Sequence, residues 1–223
     1  MKKIVIIGAT GYVGSAILKE ALGRGHQVKA IVRDPSKLTL IHPHLKVVGG
    51  SVTDTDFLSR ELAKSDAVIS AFNPGWSNPN IYEETLEGYG SILCAVRNSG
   101  VHRFLMVGGA GSLLVAPGRQ LMDEPDVPKK LLPGIRGMAK VYTDLLLPEK
   151  SVDWVFLSPA ANMAPGERTG KFRLGKDELI VDESGDSNIS VEDFAVAMID
   201  ELEQEKHHQE RFTLCLLYTS DAA

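Results

Sequence analysis

The chain has 223 residues, 43% of them hydrophobic and 24% charged, enough to bury one sizeable core. Its formal net charge of -5 and pI near 5.7, with no run of lysines and arginines, give a nucleic-acid or anionic-membrane surface no electrostatic support. No segment approaches membrane-spanning length, and the opening "IVIIGA" is too short for a secretory h-region, so a cytoplasmic protein with a small-molecule partner is expected, its oligomeric state left open between monomer and dimer.

"KKIVIIGATGYVG" reads as a buried strand, a glycine turn and the start of a helix whose apolar face is Val13, Ile17, Leu18 and Leu22, ending at Gly23 or Gly25. "QVKAIVR" and "LKVVGG" follow as strands, "DTDFLSRELAKS" as a helix and "DAVISAF" as a fourth strand. A long helix is predicted over 81–99, stopping at Gly100, with "HRFLMVGG" as the next strand. Strands alternating with helices through short links imply an α/β fold, a doubly wound parallel sheet with helices on both faces.

From 109 to 133 the pattern dissolves into a Gly- and Pro-rich stretch long enough to be a functional loop. The helix containing "GMAKVYTDLL" comes next, then the strand "VDWVFLSPA", the loop "PGERTGKF", a predicted hairpin around "DELIVDESGDSNI" and a helix from Val191. Ser190 with Asp193 three positions on resembles a capping box with Asp in the place of Glu or Gln. No repeat or linker appears, so residues 1–214 are expected to form a single domain, its substrate pocket built from 109–133 and 159–190. The last nine residues, 215–223, "CLLYTSDAA", match one reading frame of a transposase adapter used in sequencing libraries. They are expected to be non-native, which would leave Cys215 and Tyr218 without function; the alternative is a native strand continuing "RFTL". Cys94 and Cys215 show no metal-ligand spacing and no disulfide framework.

"GATGYVG" places Gly8, Gly11 and Gly14 directly after a strand and at the opening of a helix, the context that makes a glycine pattern a dinucleotide signature. Gly8 permits the tight turn, Gly11 lets the backbone approach a pyrophosphate, and Gly14 lets the helix pack closely on the sheet. At the end of the second strand, "IVRDPSKL" puts Arg33 first, which favours the 2'-phosphate of NADP(H), with Thr10, Ser36 and Lys37 as helpers. If Asp34 faces the ribose instead, NAD(H) is the cofactor.

Together with this spacing, "VRDPSKL", "DAVISAF", "VGGAGSL", "LSPA", "PGERTGKFRLG" and "ISVEDFA" resemble the atypical short-chain dehydrogenases grouped as NAD(P)H-flavin reductases. The chain is more distantly similar to the flavin reductase that also reduces biliverdin and to NmrA-like regulators. The resemblance implies that Gly8, Thr10, Gly11, Tyr12 and Val13 surround the pyrophosphate, that Arg33 meets the 2'-phosphate and that Val52 lies on the adenine, although relatives carry Asp where this chain has Ser51. It further implies that Ala71 and Phe72 run along the middle of the cofactor and that Gly108, Gly109 and Pro159 line its nicotinamide end. Where the biliverdin-reducing relative has a histidine after that proline, this chain has Ala160, so biliverdin chemistry is not transferred.

Short-chain dehydrogenases usually protonate the nascent alkoxide with Tyr-x-x-x-Lys. The residues four beyond the tyrosines at 12, 82, 89, 142 and 218 are Ala16, Leu86, Leu93, Leu146 and Ala222, and none is lysine. Lys140 precedes Tyr142 by two positions, about 200° around a helix, so they point to opposite sides. Lys140 reads as a surface charge; Tyr142 reads as half-buried packing or a ligand contact, and Ser112 as a substrate contact or a loop cap. Trp76, Met163 and Tyr142 are the candidates to stack or pack on a flat ring, and the six histidines read as solvated surface with neither metal nor triad spacing. A flavin, taken as substrate rather than tightly bound, needs no enzyme acid, so NADPH-dependent flavin or quinone reduction is the expected activity. The alternative is an NmrA-like protein that senses the dinucleotide without turnover.

Overall fold

Lys3–Ile7, an exposed lysine followed by four buried apolar residues, forms β1 inside an eight-stranded sheet in a computed structural model that describes residues 1–217. β2 (Gln27–Val32) and β3 (Leu45–Gly49) lie on one side of β1, and β4 (Ala67–Ser70) and β5 (Arg103–Val107) on the other. β8 (Asp153–Ser158) and β12 (Glu210–Leu216) continue the parallel order, and β10 (Phe172–Gly175) closes the edge antiparallel to β12. The resulting order, β10-β12-β8-β5-β4-β1-β2-β3, reverses direction between β1 and β4. In such sheets the crevice at the carboxyl ends of those two strands is the ligand site.

Alternation along the strands divides the core. Ile4, Ile6, Val155, Leu157, Phe212 and Leu214 face α1 (Tyr12–Gly23) and α5 (Val191–Gln204). Val5, Ile7, Phe104, Met106, Trp154 and Phe156 face α2 (Thr55–Leu62), α3 (Ile81–Ser99) and the segment after α4 (Leu132–Lys140). The predicted end of α3 is met: Gly100 caps it at φ 74, the left-handed conformation that glycine adopts without strain.

Four expectations are corrected. The 109–133 stretch is not a plain loop: β6 (Leu114–Ala116) and β7 (Arg119–Gln120) form a hairpin turning at Gly118, followed by 3-10 turns at Leu121–Asp123 and Lys129–Leu131. The hairpin around "DELIVDESGDSNI" does not form. The chain does turn there, with Gly185 donating to the Asp182 carbonyl, but the flanks pair elsewhere: β11 (Asn188–Ser190) runs parallel to β9 (Asn162–Ala164), and the Leu114 N–H takes the Asp177 carbonyl. Ser190 caps α5 by accepting from the Asp193 N–H at 3.0 Å, but Asp193 returns no bond to Ser190. Its carboxylate accepts from Thr169 Oγ1 at 2.6 Å and Gly170 N at 2.7 Å, tying the 165–171 loop to the helix start. Lastly, His26 is 2% exposed, because Lys2 N donates to Nδ1 and Glu203 meets Nε2 at 2.9 Å.

The helix holding "GMAKVYTDLL" also changes form. It is α-helical to Lys140 and π-helical over Val141–Leu146, with the Leu147 N–H reaching the Tyr142 carbonyl. Lys140 is exposed and pairs with Asp144 at 3.2 Å. Of the nine-residue tail, Cys215 and Leu216 complete β12, paired with Arg173 and Phe172, and Cys215 is buried. Tyr218 and the rest of 218–223 lie outside the described residues.

The turn into β8 is held by one buried acid. Glu149 accepts from Ser151 Oγ at 2.6 Å, Val152 N at 3.1 Å and Arg97 Nε at 2.6 Å. Burial alone would raise its pKa, but the Ser151 hydroxyl, Arg97 and the Ser151 N–H outweigh it and hold the carboxyl at about 2, against 4.5 for a free glutamate. Because the folded pKa is depressed, this stabilisation is complete above pH 4.5 and is lost as pH falls toward 2. Glu149→Gln should therefore cost on the order of 2–3 kcal/mol at pH 7, the difference from wild type shrinking steadily below about pH 4.5 in urea titrations; a pH-independent difference would sink the assignment.

Candidate functional site

The crevice between β1 and β4 is shaped by missing β-carbons. Gly8 follows β1 at φ 83, and a β-carbon there would lie 2.6 Å from the Ala71 carbonyl oxygen just beyond β4. Gly11 N donates back to Gly8 O at 3.0 Å to close the turn. A β-carbon at Gly14 would stand 2.1 Å from the same Gly8 oxygen, so α1 starts in backbone contact with the turn. Gly11 caps α1 without any side-chain bond, and the first turn carries no acid. The N–H groups at the start of the helix and its positive dipole end are thus left to an anion. Thr10, Gly11 and Tyr12 are exposed, Val13 is half-buried, and burial followed by Glu192 raises the Tyr12 pKa.

At the end of β2, Arg33 is exposed and makes no ion pair among the described residues. Asp34 is committed locally: its Oδ1 accepts from Ser36 N at 3.0 Å and Ser36 Oγ at 2.6 Å, and the Ser36 hydroxyl holds its carboxyl below the usual range. Of the two rivals for the ribose, the cation is free and the acid is occupied. Beyond β3, Val52 is 8% exposed and packs with the core.

On the other side of the crevice Ala71 is half-buried, while the Phe72 ring turns away onto α3, where a β-carbon at Gly88 would meet it at 2.3 Å and Tyr89 donates to the Phe72 carbonyl at 2.9 Å. After β5, a β-carbon on Gly108 would strike the Phe156 ring at 2.3 Å. Gly109 O accepts from Ser158 Oγ at 3.0 Å, which places it beside Pro159. Facing these glycines is α4: Met138 Cγ lies 3.2 Å from where a Gly109 β-carbon would be, and Ile135 Cγ2 2.1 Å from that of Gly111. A surface hollow of about 540 Å³ opens at the opposite end of the sheet, by the amino ends of β1–β3, away from the crevice.

Residues 8–205 match the family described as NAD(P)H-binding. The chain belongs to that family. It is similar to a candidate epimerase from Bacteroides thetaiotaomicron, at 55% identity and a TM-score of 0.92 over 97% of this chain and 98% of that one. A candidate NADH-flavin reductase from Streptococcus pneumoniae shares 33% identity with a TM-score of 0.85, covering 97% and 100%. The uncharacterized protein YwnB of Bacillus subtilis is 41% identical over 215 residues, 95% of this chain and 97% of its own. The Rossmann-like fold and nicotinamide-dinucleotide binding follow from this membership.

Neither candidate acid stands free. Ser112 is 4% exposed and its hydroxyl accepts from Arg211 Nη1 at 2.9 Å. Tyr142 packs its ring 5.0 Å from Phe156 and 6.2 Å from Trp154, with the Arg211 guanidinium 4.5 Å from the ring centre. Burial raises its pKa, Arg211 opposing and Asp177 and Glu210 adding, which makes it a weaker acid than a free tyrosine. Trp76 stays 56% exposed with its ring against Gly134, and Met163 packs onto the core. Among the described residues no cluster of three or more His, Cys, Asp or Glu could hold a metal. Arg211 escaped the sequence reading; an arginine inside the apolar run "RFTL" was the available signal. Gly14→Ala should abolish dinucleotide binding or cost on the order of 2–4 kcal/mol of stability, measured by nucleotide fluorescence and thermal unfolding, and a variant unchanged in both would contradict the contact described.

Proposed function

We propose that this chain is an NADPH-dependent reductase that passes hydride to a free flavin or a similarly planar, quinone-like acceptor, without an acid of its own. The observation that carries the reading is the wall of α4 beside Gly109 and Gly111, which is apolar, made by Met138 and Ile135. Carbonyl reduction and epimerisation both need a group that exchanges a proton at a substrate oxygen. With no Tyr-x-x-x-Lys and with Tyr142 packed on Phe156, the epimerase description of the Bacteroides relative is not carried over. A flavin takes hydride at a ring nitrogen and can leave as the anionic hydroquinone, so nothing on the enzyme has to supply the proton.

The bound dinucleotide supplies the hydride. Alignment is the work of the chain: Gly8, Gly11 and Gly14 admit the pyrophosphate to the start of α1, and Arg33 meets the 2'-phosphate that distinguishes NADP(H) from NAD(H). Gly108 and Gly109, on which Phe156 and Met138 pack, line the nicotinamide end together with Pro159, and Met138 and Ile135 exclude water from the acceptor's side of it. Trp76, exposed at the rim, offers a face for stacking.

Purified protein mixed anaerobically with NADPH or NADH and with FMN or riboflavin should oxidise the reduced nicotinamide only when protein and flavin are both present, and faster with NADPH. Tyr142→Phe should keep kcat within about threefold, since a true general acid is worth roughly 100-fold or more. Tight NADPH binding with no turnover on either flavin would overturn the reading in favour of a dinucleotide sensor. Arg33→Ser should raise the KM for NADPH about tenfold or more while leaving that for NADH nearly unchanged, the scale of a charge-assisted bond to phosphate. Equal losses with both cofactors would remove Arg33 from phosphate recognition.

A further inference from the structure

Arg211 sits in β12 with 5% of its side chain exposed and binds three segments far apart in the chain. Nε and Nη2 donate to Asp177 Oδ1 at 3.0 and 2.7 Å, and Nη1 donates to the Ser112 hydroxyl and carbonyl oxygens at 2.9 and 3.2 Å. The guanidinium plane covers the Tyr142 ring at 4.5 Å. Ser112 lies three residues past Gly109, in the turn where Leu113 N donates to Ala110 O and Met122 N to Gly111 O. Asp177 follows β10 at the edge of the sheet. The backbones of these two segments also meet, Leu114 N donating to Asp177 O at 2.8 Å and Leu179 N to Leu114 O at 2.9 Å.

A buried guanidinium is a costly way to fill a strand position that valine would fill well, because its desolvation offsets much of the attraction to its partner. Its acid, moreover, is half-exposed: 54% of the Asp177 side chain faces solvent. What arginine alone provides is a rigid fork that can hold two groups on different sides at fixed angles, which the single ammonium of lysine cannot do. We propose that Arg211 is a positioning residue that couples the 109–123 and 173–181 segments, the parts in contact here of the two stretches expected to wall the acceptor site, so that they move as one and keep the gap between those walls at a fixed width. It touches no reacting atom, and what the gap admits rests on the reductase reading above.

Hydrogen exchange by mass spectrometry on the full chain, with Arg211→Met, Arg211→Lys and Asp177→Asn, tests the coupling whatever the acceptor is. Asp177→Asn changes a half-exposed side chain and keeps the arginine, so it remains informative should Arg211→Met fold poorly. Expected in Asp177→Asn and Arg211→Met is faster exchange in 109–123 and 173–181 together, with β1, β4 and β5 unchanged, and only partial restoration by lysine. In steady state the KM for FMN should rise about tenfold while kcat stays within about threefold and the dissociation constant for NADPH within about twofold. Exchange that rises in one wall only, or uniformly across the sheet, would overturn the coupling, as would loosened walls with an unchanged KM. A wild type that turns over neither FMN nor riboflavin would defeat the reductase reading instead, and the exchange data would then decide the coupling by themselves.

Discussion

The start of α1 presses so closely on the turn after β1 that a β-carbon at Gly14 would stand 2.1 Å from the Gly8 carbonyl oxygen. That contact fixes where the helix dipole points. It sets the N-terminus at the place where β1 and β4 part, and Gly8, itself 2.6 Å from Ala71 O by the same measure, lets the two strand ends converge there. An acid in the first turn would neutralise the positive end for the helix's own benefit. Its absence leaves that field for a ligand.

The two ends of the sheet are chemically unlike. At the amino end, Arg103 is 6% exposed and pairs with Asp153 at 2.8 Å and with Glu201, while His207, which also bonds Glu201, stacks on Phe212. Such a network contributes little net stability, because desolvation offsets attraction, and it ties α5 to β5 and β8 through fixed partners. At the carboxyl end the corresponding positions are glycines, an apolar helix wall and a few half-buried side chains.

Local signals carried well from sequence to structure. The glycine turn, the limits of α3 and the start of α5 depend on neighbours within a few residues, and each was readable. The Asp182–Gly185 turn was readable too, but strand pairing is decided by tertiary partners, and β11 found β9 instead. The π-helical turn at Val141–Leu146 hides because a run of 6 residues is too short for its period to be told from that of an α-helix. The burial of His26 and Arg211 was missed for one reason: their partners stand far away, Glu203 for the first and Ser112 and Asp177 for the second, so no window of sequence names the groups that satisfy them. Of the candidate site, the glycine turn was legible; the packing of Met138 and Ile135 on Gly109 and Gly111, and the Arg211 bonds to Ser112, were not.

That acceptor half bears on the choice between turnover and sensing. A sensor must possess an element with two arrangements that its ligand weighs differently. By sequence the 109–133 stretch was the natural place for one, long and rich in glycine and proline. In the structure it is anchored by its own hairpin, by Met122 N on Gly111 O, by Leu114 on Asp177 and Leu179, and by Arg211 on Ser112. So many independent ties favour a single arrangement, which suits the proposed reductase, in which two flat rings would be held at one distance. Rigidity at this position is what hydride transfer without an acid requires, since alignment is then the main source of rate that the protein has to offer.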